Sequence, residues 1–158
     1  MVAPMITLHA FGRVHPLVHG LTRDLRVLWA LEELELPYEI VKYERDAKTM
    51  LAPKSLRAIH PLGKSPVITD QGATIAESGA ILEYLVEAYG KGKFAPATGT
   101  PAFRDYRYFM HYAEGSLMPF LVMKLVFNKV QTDAPFLVRP IAKVISSTVS
   151  RQFLDPSL

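Results

Sequence analysis

Glu77 and Ser78 stand side by side at the head of an apolar-periodic stretch that runs to Tyr89, which places them at the start of a helix. The first N–H groups of a helix lack intrahelical partners and the dipole is positive there, so a carboxylate is welcome. The same pair also serves as an N-terminal cap with a helpful acid, and the two roles are compatible. Thr22 precedes another helical segment, where its hydroxyl can cap. Lys64 is a point charge for an anion or a solvated surface lysine. Ser65-Pro66, read alone, is an ordinary turn proline. Tyr106, Met110, His111 and Glu114 fall at helical spacing, as a core stripe or the wall of a pocket. His15 and His19 lie in a loop, where a histidine is usually just exposed. There is no cysteine, so disulfides, Cys-liganded zinc and a cysteine nucleophile are excluded. Any thiol chemistry must use a thiol brought in by a ligand.

These residues need elements to position them. Met5–Phe11 is short, apolar and partly β-branched and reads as a strand, followed by a Gly- and Pro-containing loop over Gly12–Leu21. Arg23–Leu34 reads as a helix with Leu25, Leu28 and Trp29 leading its apolar face. Val27 and Leu31 widen that face, Glu32 and Glu33 are solvated, and Leu36-Pro37 ends the helix. Tyr38–Tyr43 is a second strand, Lys54–Ile59 a short helix, Pro66–Thr69 a third strand and Ala73–Ile75 a fourth after a turn at Gly72. Glu77–Tyr89 is a helix with Ala80, Ile81, Tyr84, Leu85 and Ala88 on one face, stopped by Gly90 and Gly92. The order β-α-β-α-β-β-α needs a parallel pair and an antiparallel pair. That is a small mixed sheet flanked by helices, the α/β arrangement of thioredoxin-like domains.

After a Gly-, Pro- and Thr-rich linker over Lys91–Pro101 the pattern changes. Ala102–Val130 is a long helical stretch that Pro119 should kink or interrupt, and Phe136–Ser150 is another with Pro140 in its first turns. The organisation is therefore an α/β domain over residues 1–92 and an all-α part over residues 102–158.

Composition removes several function classes. Of 158 residues 49% are apolar and 21% charged, enough for a core and against disorder. The net charge of +3 is scattered rather than clustered, so no nucleic-acid partner is expected. The first twenty residues lack a basic region followed by an apolar run, so no secretory signal is read. Leu117–Phe127 is broken by Pro119 and Lys124 and is too short to span a bilayer. The expected setting is the cytoplasm, without membrane association.

Four stretches then resemble one family, in the right order. Arg26-Val27-Leu28-Trp29-Ala30-Leu31-Glu32-Glu33-Leu34 with Leu36-Pro37-Tyr38-Glu39 resembles the first helix and second strand of fungal and bacterial glutathione transferases. His60-Pro61-Leu62-Gly63-Lys64-Ser65-Pro66-Val67 resembles their loop before the third strand, and Thr74 to Ile81 their strand-to-helix turn. Tyr106 to Pro119 resembles the fourth helix of one subgroup.

The resemblance implies a cytosolic enzyme of detoxification that activates the thiolate of glutathione for attack on a small, apolar electrophile, works as a homodimer, and uses no metal. It implies that Pro66 follows a cis peptide bond and that Ser65 pairs with the cysteinyl backbone of glutathione as an added strand would. Ser78 would hold the γ-glutamyl carboxylate, Glu77 its ammonium and Lys64 the glycyl carboxylate. Thr22-Arg23-Asp24-Leu25-Arg26 is similar to the subgroup's Ser-Arg-x-x-Arg, with Thr22 as the hydroxyl that stabilises the thiolate. The Gly12–Leu21 loop is longer than is common in the family, so a residue of that loop is the alternative donor. Tyr106, Met110, His111 and Glu114 would line the electrophile's pocket. Two other functions stay open: glutathione-dependent disulfide reduction, and a non-catalytic binding or assembly module. The family's helical domain continues beyond two helices, with a Ser-x-x-Asp capping motif that has no match here. The expectation is an incomplete helical domain, Phe153–Leu158 reading as a helix-end linker, whose uncovered apolar faces are met by dimerising or by a longer chain.

Overall fold

The computed structural model describes residues 5–12 and 22–158. The chain divides into two compact units, with the change between Ala97 and Thr98.

The first unit is built on β1 (Ile6–Phe11). Its alternation sends Ile6, Leu8 and Ala10 to one face, where they form the core with Val27, Leu31, Ile68, Ile81 and Leu85. β2 (Tyr38–Tyr43) pairs parallel to β1 from Ile6↔Tyr38 to Phe11↔Tyr43. A parallel neighbour needs a crossover, which α1 (Asp24–Glu33) supplies. After α2 (Lys54–Ile59), β3 (Val67–Asp70) runs antiparallel to β1 on its other edge, and β4 (Ala73–Ala76) closes the sheet in the order β2-β1-β3-β4. Gln71 and Gly72 both have positive φ, 48° and 84°, as a two-residue hairpin turn in a twisted sheet requires. α3 (Ser78–Tyr89) follows and buries Ile81 and Leu85. This is the thioredoxin-like mixed sheet.

Two helix faces differ from the sequence expectation. In α1 the buried residues are Val27 and Leu31, while Leu25 is 41% and Trp29 67% exposed. The apolar stripe was wide enough to admit two phases, and the aliphatic pair at i, i+4 is the one that reaches the sheet. Trp29 stays outside because its indole N–H donates to Glu33 (2.8 Å), a bond available at the surface. In α3, Ala80 and Ala88 are exposed.

A buried carboxylate ties the β3–β4 turn to α3. Tyr84 donates to Asp70 Oδ2 at 2.7 Å, and Tyr89 donates to the same oxygen. Asp70 is 2% exposed, and the bond it accepts pushes the Tyr84 phenol well up from its ordinary value.

The second unit starts at α4 (Pro101–Tyr112), capped by Thr100 Oγ1, which accepts from Phe103 N–H (3.2 Å). As expected, the α-helix is interrupted just ahead of Pro119, although the chain stays wound. It passes through a π turn over Ala113–Leu117 into α5 (Met118–Asp133). Pro119 has no N–H to donate back, and the preceding turn absorbs this as Met118 N–H reaches Ala113. α6 (Arg139–Val149) carries Pro140 in its first turn, where the missing N–H has no partner to lose. Phe153–Leu158 stays helical: residues 150–154 form a π turn, Asp155–Ser157 a 3₁₀ turn, and Leu154 is fully buried. Burial of that leucine keeps the backbone wound. Many apolar side chains of α5 and α6 are exposed, among them Val126, Ile141 and Val144. Among the described residues no helix is long and apolar enough to cross a membrane.

Removing one tyrosine from Asp70 deletes a hydrogen bond to a charged acceptor. Tyr84→Phe is expected to lower the unfolding free energy in urea by about 1.5–3 kcal/mol.

Candidate functional site

The first unit carries a cleft of about 260 Å³ whose wall includes Lys64, Ser65, Pro66, Glu77 and Ser78. Residues from two separate loops thus meet in one place, and the sheet explains why. Val67 pairs with both His9 and Ala76, so the residues just before β3 and just after β4 emerge side by side at one end.

The Ser65–Pro66 peptide is cis. Gly63, at φ 56°, sets up the approach: a Cβ there would stand 3.1 Å from Ala52 Cβ and 3.0 Å from Arg57 Cγ. Ser65 Oγ donates to the carbonyl of His9 (3.3 Å), which ties the loop to β1. Pro66 is buried and Lys64 exposed.

Ser78 is the first residue of α3 and is 2% exposed. Glu77, exposed beside it, has φ 74° and ψ 123°. That conformation is sparsely populated for a residue with a Cβ and costs about 1–3 kcal/mol, a strain found most often at functional positions. No side-chain bond caps the helix at Glu77.

Four wall residues were not anticipated as ligand contacts: Arg23, Arg45, Leu62 and Ala76. Arg45 changes the electrostatics most. Its guanidinium carbon lies 3.6 Å from the centre of the Phe11 ring, and Nη1 donates to the Met50 carbonyl (3.1 Å). The carbonyl is presented by a tight loop in which Asp46 accepts from the N–H of Thr49 (2.7 Å), the Thr49 hydroxyl (2.9 Å) and the N–H of Lys48 (3.0 Å). These bonds hold the Asp46 carboxyl below its usual range. Asp46 with Thr49 three residues on was the available signal for the turn, but its link to Arg45 is tertiary. The wall now has three cations, Arg23, Arg45 and Lys64, against Glu77. It suits a ligand with more than one carboxylate and one ammonium.

Thr22 is half-buried just before Arg23, and its carbonyl accepts from Leu25 N–H (3.2 Å) in the first turn of α1. It is not among the residues of the wall, although its neighbour Arg23 is. The loop histidines His15 and His19, the alternative donors, lie outside the described residues. Tyr106 and Met110 on α4 and Glu114 in the π turn are half-buried, and His111 is exposed. No group of three His, Cys, Asp or Glu arranged to hold a metal occurs among the described residues.

His9, whose carbonyl holds Ser65, is 5% exposed. Its Nδ1 is 2.9 Å from the Tyr43 hydroxyl and its Nε2 3.3 Å from Thr69 Oγ1. Burial pushes its pKa below the ordinary 6.5, opposed by the Glu39 carboxylate.

A family model described as the glutathione S-transferase N-terminal domain matches residues 14–87. The chain is 38% identical over 136 residues to glutathione S-transferase 3 of Schizosaccharomyces pombe, covering 85% of this chain and 54% of that one. It is 34% identical over 148 residues to glutathione S-transferase 1 of Saccharomyces cerevisiae, covering 89% and 62%. The chain thus spans between half and two thirds of the length of these relatives. Its fold also matches a glutathione S-transferase from Actinobacillus pleuropneumoniae with a TM-score of 0.63 at 29% identity, over 91% of this chain and 62% of that one. A Phanerochaete chrysosporium glutathione transferase, solved with oxidized glutathione, matches with a TM-score of 0.65 at 22% identity, over 92% and 64%, a likeness of fold alone.

His9 gives the unit a pH dependence of known sign. Its folded pKa is lowered, so on acidification below 6.5 the unfolded chain takes up the proton first and the folded state loses stability. Urea unfolding is expected to show a lower free energy at acid pH than at neutral pH, with the difference reduced in His9→Gln.

Proposed function

Because this chain belongs to the glutathione S-transferase family, we propose that the cleft beside the cis proline binds glutathione and prepares its thiol for transfer to an electrophile. The observation that carries this reading is the convergence of Lys64, Ser65 and Pro66 with Glu77 and Ser78 on one cleft. Glutathione needs recognition of a zwitterionic γ-glutamyl end, a peptide backbone and a glycyl carboxylate. The start of α3 offers Ser78 and the positive end of the helix dipole for the first carboxylate, with the Glu77 carboxylate for the ammonium. Ser65 offers main-chain groups to the cysteinyl residue. Lys64 serves the glycyl carboxylate as a point charge, and Arg45 adds a second, better anchored cation.

The chemistry requires the thiolate, and a free thiol has a pKa near ~8.5. Thr22 is assigned as the donor to the sulfur, with the positive end of α1 and the cationic wall acting in the same direction. The thiol proton leaves to solvent, the sulfur forms a bond to an electrophilic carbon, and the electron pair displaced there goes to a leaving group or to the acceptor itself. Holding both reactants and stabilising the thiolate carry the rate. The second substrate is a small apolar electrophile, with Tyr106, Met110, His111 and Glu114 as the residues that meet it. The reading includes a cytoplasmic homodimer acting in detoxification, and sedimentation velocity at micromolar concentration checks the dimer.

Calorimetric titration with glutathione tests the site. Ser78→Ala removes a hydrogen bond to a charged group and is expected to weaken binding by about ten- to a hundredfold. A folded chain that binds no glutathione would overturn the reading. Thr22→Val is expected to leave glutathione binding near that of the unaltered chain while raising the apparent pKa of the bound thiol, followed by thiolate absorbance against pH.

A further inference from the structure

We infer that His9 is a positioning residue for the glutathione site, its imidazole bridging Tyr43 on β2 and Thr69 on β3 while its carbonyl holds Ser65. The inference rests on the proposed glutathione site and adds to it a residue that does not line the cleft.

The argument starts from where β1 lies. It is an inner strand with β2 on one side and β3 on the other, so a side chain from its middle can touch both neighbours. On the core face that duty falls to aliphatic residues. On the opposite face it falls to His9, and both of its ring nitrogens are engaged, at 2.9 Å to Tyr43 and 3.3 Å to Thr69. The Tyr43 ring also lies 5.8 Å from the imidazole, tilted by 43°. A neutral imidazole has one donor and one acceptor, so one hydroxyl must donate to it and the other accept. That requirement fixes the orientation of both partners.

Each anchored strand leads directly into the cleft wall. Tyr43 is two residues before Arg45, and Phe11, two residues after His9, carries the Arg45 guanidinium on its ring. The Tyr43 carbonyl also accepts from Gly12 N–H (2.9 Å), closing the same end. On the other side, β3 begins at Val67, immediately after Ser65-Pro66, and Ser65 Oγ reaches the His9 carbonyl. One residue therefore joins the segment that sets Arg45 to the segment that sets Ser65. A ligand spanning both feels any slip between β2 and β3, and a positioning error of this kind is costly to binding and rate.

Glutathione titrations of the unaltered chain, His9→Val and His9→Gln test this, with circular dichroism confirming the fold of each. Valine suits a strand but has no polar atom, whereas glutamine keeps a donor and an acceptor. The expected result is that His9→Val weakens glutathione binding by about fivefold or more, and that His9→Gln recovers most of the loss. Rescue by glutamine distinguishes bridging from mere filling of space. Equal affinity of His9→Val and the unaltered chain overturns the inference and leaves the site standing. If His9→Val does not fold, Tyr43→Phe and Thr69→Val decide, since each keeps the ring and removes one partner. Unchanged glutathione affinity in both overturns the inference. If the folded, unaltered chain binds no glutathione, the parent reading fails and this inference fails with it.

Discussion

The pairing of β1 on both edges sets the conditions for everything else in the first unit. Its parallel partner β2 obliges the chain to cross back through α1, and its antiparallel partner β3 brings the cis-proline loop to the same end of the sheet. Because β3 then turns tightly into β4, the residues ahead of β3 and those behind β4 become neighbours. The cleft is the direct result. Its two loops meet because one strand accepts a partner on each side, and the hydrogen-bond ladders leave little freedom in that arrangement.

Hydrophobic alternation and turn residues made the four strands and three helices of this unit legible in the sequence. Tyr38–Tyr43 and Lys54–Ile59 were readable to the residue, since a Pro or a charged break stands near their ends. The phase of α1 was not, because Leu25, Leu28 and Trp29 offered as good a stripe as Val27 and Leu31. Only packing on the sheet separates the two. Lys64, Ser65, Pro66, Glu77 and Ser78 were visible as local motifs, and they do converge on one cleft. Arg45 and His9 were not visible. Their significance depends on the Phe11 ring, the Met50 carbonyl, Tyr43 and Thr69, and no local spacing encodes those meetings.

The polar groups of the first unit share a design. Asp70 gathers two tyrosines, His9 two hydroxyls and Asp46 three donors. Each fixes a connection that apolar packing alone would leave free to slide, because hydrogen bonds are directional and burial is not. Asp70 secures the hairpin to α3, Asp46 shapes the loop under Arg45, and His9 spans the sheet.

The π turn at Ala113–Leu117 alters how the long helix must be read. One residue more than an α turn requires is accommodated there, so the helical wheel advances by about 100° between α4 and α5. A face drawn through Tyr106, Met110 and Glu114 cannot be extended into α5 by counting in fours. Deleting a single residue from the turn would swing every side chain of α5 to a new heading while leaving its sequence untouched. Length at this point is therefore a steering variable, able to re-aim a whole helix where substitution could change only one side chain.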